Sequence, residues 1–226
     1  HVFTAKVVPF FGFKDYALVS CAAQYLQAHW QTAHQNKPLP LYVPEDCKTL
    51  KEAVQRVEQD PRITTIVLGE GKHQIDQGHF NNILHISSAI KIVGRPDVPK
   101  EKIVVVGGIE FKKGIQENCH LQHVTLRQAK GNGVHGRSSF TMEDVLVEQC
   151  RHGVCANGTG VAGRCTNVEV RHCQRSGVSA ASGASITLIG AKTTVHHNCA
   201  YGDSLEYGLK VFASTSSTIQ LVSPLT

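Results

Sequence analysis

Arg127, Glu148, Arg171 and His196 recur at similar intervals, each followed by a second side chain with a planar hydrogen-bonding group: Gln128, Gln149, His172 and His197. Gathered along one groove, such residues could act on a polysaccharide. A lyase needs an Arg or Lys to take the proton beside a uronate carboxyl, and acidic residues, often working through calcium, to neutralise that carboxyl. Arg127, Arg171 and His196 are the candidates for a uronate lyase or epimerase. A glycoside hydrolase instead needs two carboxylates flanking the bond. Between Gly107 and Thr226 the only aspartates are Asp144 and Asp203, which fall at different points of the repeat. The Arg151-His-Gly-Val154 stretch has the His-Gly of some hydrolases without acidic companions, and His152 reads as a loop histidine. Side chains of alternating sign on neighbouring strands form cross-strand ion pairs, worth about 0.2–1 kcal/mol each when exposed. Replacing Arg127 and Arg171 with Ser together is therefore expected to leave the fold intact. The eight-residue ladder is expected to bind a ligand rather than to catalyse, because columns of planar polar groups suit sugar hydroxyls or a peptide backbone.

His196-His197 near Cys199, with His172-Cys173 before them, suggests zinc, since imidazole and thiolate are its natural ligands. Consecutive strand residues face opposite ways, which separates His172 from Cys173. No metal and no cofactor is expected, and no phosphate-cradling Gly-rich loop ending in Lys-Ser or Lys-Thr occurs.

The elements that position these residues form a repeat. Val124–Ala129, Val145–Cys150, Val168–Cys173 and Thr193–Cys199 align, with starts 21, 23 and 25 residues apart, and a further strand of the series is expected near Thr218. Each unit has a second piece opened by Gly133-Val134, Gly153-Val154, Gly177-Val178 or Gly208-Leu209. Strands this short, separated by turns this often, close on themselves as one solenoid coil per repeat. Alternation places Val124, Leu126, Val145, Val147, Val168 and Val170 inward, and Thr125, Arg127, Leu146, Glu148, Glu169 and Arg171 outward. The second strands, followed by small residues as in Ser179–Ser182 and Ala213–Ser216, are expected to make a weakly featured side. Earlier coils read as Thr64–Leu68, Ile83–Ile86, Ile90–Val93, Ile103–Val106 and Ile109–Phe111.

A helix over about Cys47–Gln59 precedes the coils. Leu50, Ala53, Val54 and Val57 lie on one face, and Thr49 and Glu52 have the spacing of a capping box. It would plug the end of the solenoid, as a terminal repeat requires. The predicted architecture is a mainly β, right-handed, single-stranded parallel β-helix over residues 46–226, an extended linker over 37–45, and a helical segment over 1–36 with Asp15 as N-cap and Leu18, Ala22, Tyr25 and His29 at helical spacing.

The net charge of +5 is mild and the Lys and Arg are scattered rather than run together, so nucleic acid is not an expected partner. No stretch of 18 apolar residues is present, so no membrane span is expected. Cys150, Cys173 and Cys199 recur in one register and read as a buried thiol column rather than as disulfides. That points to a reducing compartment, the cytoplasm or nucleus.

Val8–Cys21, followed by Tyr25 to Trp30, resembles the later two-thirds of an F-box. Val43–Ala53, Ile66–Gly71 and Ile90–Gly94 resemble the capping helix and first coil of pectate-lyase-like β-helices, particularly the noncatalytic branch found in F-box proteins. The resemblance implies a substrate receptor that recruits a Skp1-type ubiquitin-ligase adaptor through its front segment and presents the β-helix to a protein or glycan. The same fold also serves lyases and epimerases, so it does not choose between these functions.

Overall fold

The computed structural model describes residues 22–26, 39–75, 82–202, 205–212 and 216–223. The chain divides into two units at Pro38/Leu39. In the first, residues 22–26 are helical and exposed. The rest of the F-box-like segment, including Asp15, Leu18, His29 and Trp30, lies outside the described residues.

The second unit is a parallel β-helix of about six turns built from three sheets. Sheet A holds the strands Leu39–Val43, Ile63–Leu68, Lys91–Gly94, Cys119–Gln122, Phe140–Glu143, Ala162–Thr166, Ser185–Ile189 and Thr218–Val222. Sheet B holds Gly71–Gln74, Ile103–Val106, Thr125–Arg127, Leu146–Glu148, Glu169–Arg171 and Thr194–His196. Sheet C holds Ile83–Ile86, Gly108–Phe111, Asn132–Gly136, His152–Asn157, Val178–Ala181 and Leu209–Val211. Inward residues stack in register. Leu126, Val147 and Val170 do so from sheet B, Val134, Val154 and Val178 from sheet C, and Leu121, Met142, Cys165 and Leu188 from sheet A. All are buried, and at about 1.5–3 kcal/mol for each large apolar side chain these columns are the main stabilising term.

At either edge of sheet B a single residue in the left-handed region starts the bend. His123, Asp144 and Asn167 turn the chain from sheet A to sheet B, with φ of 54°, 50° and 54°. Gln128, Gln149, His172 and His197 turn it toward sheet C, with φ between 51° and 59°. Each such turn costs roughly 1–2 kcal/mol in a non-glycine residue, which the stacked coils offset. Gly153, where sheet C begins, has another reason to be glycine: a Cβ there would collide with the Gly177 carbonyl and lie 2.5 Å from Val170 Cγ1.

The helix α1 (Leu50–Gln59) buries Leu50, Ala53, Val54 and Val57 as expected and contributes them to the solenoid core. Thr49 Oγ1 accepts from Glu52 N at 3.1 Å, while Glu52 Oε2 reaches back to Lys48 N rather than to Thr49 N.

Several expectations are corrected. The sheet A strands between Cys119 and Ile189 have no counterpart in the sequence reading, because polar and glycine residues such as His120, Gly163 and Arg164 interrupt their apolar pattern. Thr218–Val222 does not continue the first-strand series but pairs with Ser185–Ile189 in sheet A. Leu39–Val43 is extended as expected, yet it pairs with Ile63–Leu68 and is the first strand of the solenoid rather than a linker. The thiol column ends at Cys173. Asn198 occupies the next place, donating from Nδ2 to Val170 O at 3.0 Å and accepting from Cys173 N at 3.0 Å, and Cys199 is displaced into a left-handed turn.

Candidate binding site

The predicted ladder is assembled on the outer side of sheet B, where Arg127, Glu148, Arg171 and His196 stand in register. Glu148 is not an exposed partner in it: it is 4% exposed, clasped between two guanidinium groups. Arg127 Nε donates to Glu148 Oε1 at 2.6 Å and Arg171 Nε to Oε2 at 2.9 Å. Arg171 Nη1 also donates to Glu169 Oε1 at 2.8 Å, and His196 Nε2 lies 3.3 Å from the same oxygen. His196 Nδ1 lies 2.6 Å from His197 Nδ1, and the His172 ring packs 5.3 Å from that of His197. Burial pushes the Glu148 carboxyl upward, but hydrogen bonds from Arg171 and Arg127, reinforced by their charges, outweigh it and hold it below its ordinary 4.5. The ladder is therefore a chain of charges committed to one another. The double substitution of Arg127 and Arg171, expected from the sequence to be harmless, would strand a buried carboxylate. Gln128, Gln149, His172 and His197 are exposed at the left-handed turns rather than on the ladder strands.

The outward side of sheet B is also partly roofed. The 3-10 turn Lys100–Lys102 lies against Thr125, whose Oγ1 donates to Lys100 O at 2.9 Å, so that Thr125 is outward yet fully buried. Asp144 anchors this segment through Lys100 Nζ at 2.5 Å and His123 Nδ1 at 2.6 Å, and His123 Nε2 meets Val98 O at 2.8 Å. Asp144 thus has a structural role, and Asp203 lies outside the described residues.

Sheet C, expected to be weakly featured, carries the more open chemistry. His85, Glu110, His135, Cys155, Ser179 and Lys210 form one outward column in register. Small residues in its middle and larger ones at its flanks make a groove of about 450 Å³ across four coils. Cys155, Ser179 and Ala181 line its middle, with Asn132, His135 and His152 toward one side and Glu206, Lys210 and Phe212 toward the other. His152 begins a sheet C strand and is not a loop residue. Glu206, only 9% exposed, accepts from Ser176 Oγ and from Ser176 N at 3.3 Å, and is approached by Arg175 Nη1 at 3.4 Å and Lys210 Nζ at 3.5 Å. Lys210 also lies 4.8 Å over the Phe212 ring.

Burial lowers the pKa of both groove imidazoles. For His152 the charges of Arg175, Arg151 and Lys210 act in the same direction while Glu206 opposes; for His135, Glu110 opposes and Arg137 adds. Burial raises the Cys155 thiol against a hydrogen bond from Ser179. At neutral pH the groove thus holds uncharged imidazoles, a thiol, hydroxyls and amides, with one carboxylate already neutralised. That inventory can donate and accept hydrogen bonds to a polar ligand. Among the described residues no group of three or more His, Cys, Asp or Glu side chains is arranged to hold a metal ion.

The sequence signal for the groove was the column spacing of His135, Cys155 and Ser179, which the small residues around them obscured. Comparison of the chain with protein-family models, with curated proteins and with solved structures finds no match.

Proposed function

We propose that this protein is a noncatalytic recognition module whose β-helix is a rigid support and whose ligand lies in the sheet C groove. The observation that supports it is the state of Glu206: among the described residues it is the one carboxylate lining the groove, and it is tied to Ser176, Arg175 and Lys210, an arrangement suited to shaping a binding surface rather than to trading protons. Arg171, the group a uronate lyase would use as base, is spent on Glu148 and Glu169. The resemblance of the front segment to an F-box supports a Skp1-type adaptor as the second partner, with the groove presenting a protein or glycan to it.

The test has two arms. Ligands captured by the purified chain from peptide and glycan arrays should be lost when Ser179→Trp fills the groove, with circular dichroism confirming the fold, and a Skp1 homologue should be retained by the wild-type chain in a pull-down. Ligand binding indifferent to Ser179→Trp would falsify the groove assignment. Turnover of alginate or pectin that disappears with Arg171→Ala would decide for the lyase instead.

A further inference from the structure

The Lys and Arg that are scattered in the sequence are partly gathered by the coil repeat. Lys130, Arg151 and Arg175 fall at the bend between sheets B and C on three successive coils, between the strands ending at Arg127, Glu148 and Arg171 and those beginning at Asn132, His152 and Val178. Arg175 N donates to Arg151 O at 2.8 Å, which fixes the two arginines on adjacent coils. Neighbouring like charges repel, and Arg175 and Arg151 differ in how this is answered. Glu206 serves Arg175 at 3.4 Å, whereas among the described residues Arg151 has no carboxylate within ion-pair reach. Arg151 is exposed, and the corner adjoins the groove at His152, whose ring feels Arg151, Arg175 and Lys210 together.

We propose that an acidic peptide segment docks with its carboxylates along the Lys130, Arg151 and Arg175 corner and runs on with its backbone into the sheet C groove. The inference rests on the recognition reading and names its partner. Charge complementarity selects the anion: guanidinium groups favour planar carboxylates, and a ligand anion would supply a counter-charge that no described residue gives Arg151. The groove chooses a peptide over a polyanion. Away from the corner its lining turns to the amides of Asn132 and Asn157 and the hydroxyl of Ser179, which match a peptide backbone. On the side of the earlier coils Glu110 sits 3.5 Å from His135, so a chain with an anion on every unit, a polyuronate or a nucleic acid, would meet a like charge there.

The experiment is fluorescence anisotropy of the full chain with a labelled Gly-Ser-Asp-Glu-Asp-Ser-Gly peptide, its Asn/Gln counterpart, trigalacturonate and an RNA octamer, at low and high salt. The acidic peptide should bind, weaken with salt, and exceed its amide counterpart by roughly tenfold or more, the factor that about 1.4 kcal/mol represents. Lys130→Glu with Arg151→Glu should remove that advantage, while Lys48→Glu, at the other end of the solenoid, should not. If the charge-reversed protein unfolds, the milder Arg151→Gln is used and should still weaken the acidic peptide selectively. Equal binding of acid and amide peptides, no binding of the acidic one, indifference to the corner substitutions, or tighter binding of the uronate or RNA would each overturn the proposal. A glycan that binds, and is lost with Ser179→Trp while the acidic peptide never binds, would overturn this inference and leave the recognition reading standing.

Discussion

Sheets B and C share one backbone geometry and differ in how their outward columns are filled. On sheet B, Arg127, Glu148, Arg171 and Glu169 are long, opposite in sign and adjacent, so each satisfies the next and the surface closes over a buried carboxylate. On sheet C, Cys155 and Ser179 interrupt a column that also holds His135 and Lys210, and the surface sinks into a groove. The inward columns that build the solenoid place no constraint on this choice. A parallel β-helix can therefore spend one outward face on cohesion and leave another for a ligand, and the relative sizes of neighbours along a column decide which is which.

The contrast is broken most severely by removing the sheet B cations. Arg127→Ser with Arg171→Ser leaves Glu148 buried without either partner, and losses of about 3–5 kcal/mol attend a buried charge so stranded. Urea denaturation should show the fall in midpoint. Glu148→Gln, which removes the charge but keeps the shape, should cost less, about 2 kcal/mol, in the range for hydrogen bonds to charged groups.

Acid should separate the two faces. His135 and His152 have folded pKa values below the ordinary 6.5, so the folded state binds their protons more weakly than the unfolded chain does. The stability they carry is complete above about 6.5 and declines as pH falls below it. His73, lowered chiefly by burial at the start of sheet B, adds to the same window. The Glu148 carboxyl is held below 4.5, so its contribution is complete above that value and lost only as pH falls through its lower folded pKa. Thermal melts between pH 8 and 3 should therefore show two declines. His135→Asn with His152→Asn should reduce the upper one, with His73 carrying what remains, and leave the lower.

Ser179→Trp should change the melting midpoint less: Ser179 is only 6% exposed but lines the groove, so part of the indole can extend into open space, and the loss should stay within about 1–3 kcal/mol, the range for overpacking. Thiol labelling offers the finest distinction. Half-buried Cys155, in the groove, should react in the native protein, whereas Cys150 and Cys165, with thiols pushed up to about 12 chiefly by burial, should wait for denaturant. Labelling of Cys150 at the rate of Cys155 would mean that the sheet B side of the core opens as readily as the groove.

The coil repeat was legible because inward Val and Leu recur where the core demands them, and the same demand marked Leu50, Ala53, Val54 and Val57 on α1. The sheet A strands between Cys119 and Ile189 were not, since they are set off by neither a glycine corner nor a charge pattern, and residues such as Arg164 and Thr187 face outward between core positions. Among functional residues, spacing alone brought Arg127, Glu148, Arg171 and His196 together. What it could not supply was depth: whether Glu148 stays wet depends on two side chains folding over it from neighbouring coils, and whether Cys155 and Ser179 form a floor depends on what stands beside them. The sequence by itself determined which residues face in, because hydrophobic burial acts on each position in turn. Only the tertiary structure decided which outward residues are closed and which are available, because that depends on side chains some 20 residues apart meeting at the spacing of about 4.8 Å between stacked strands.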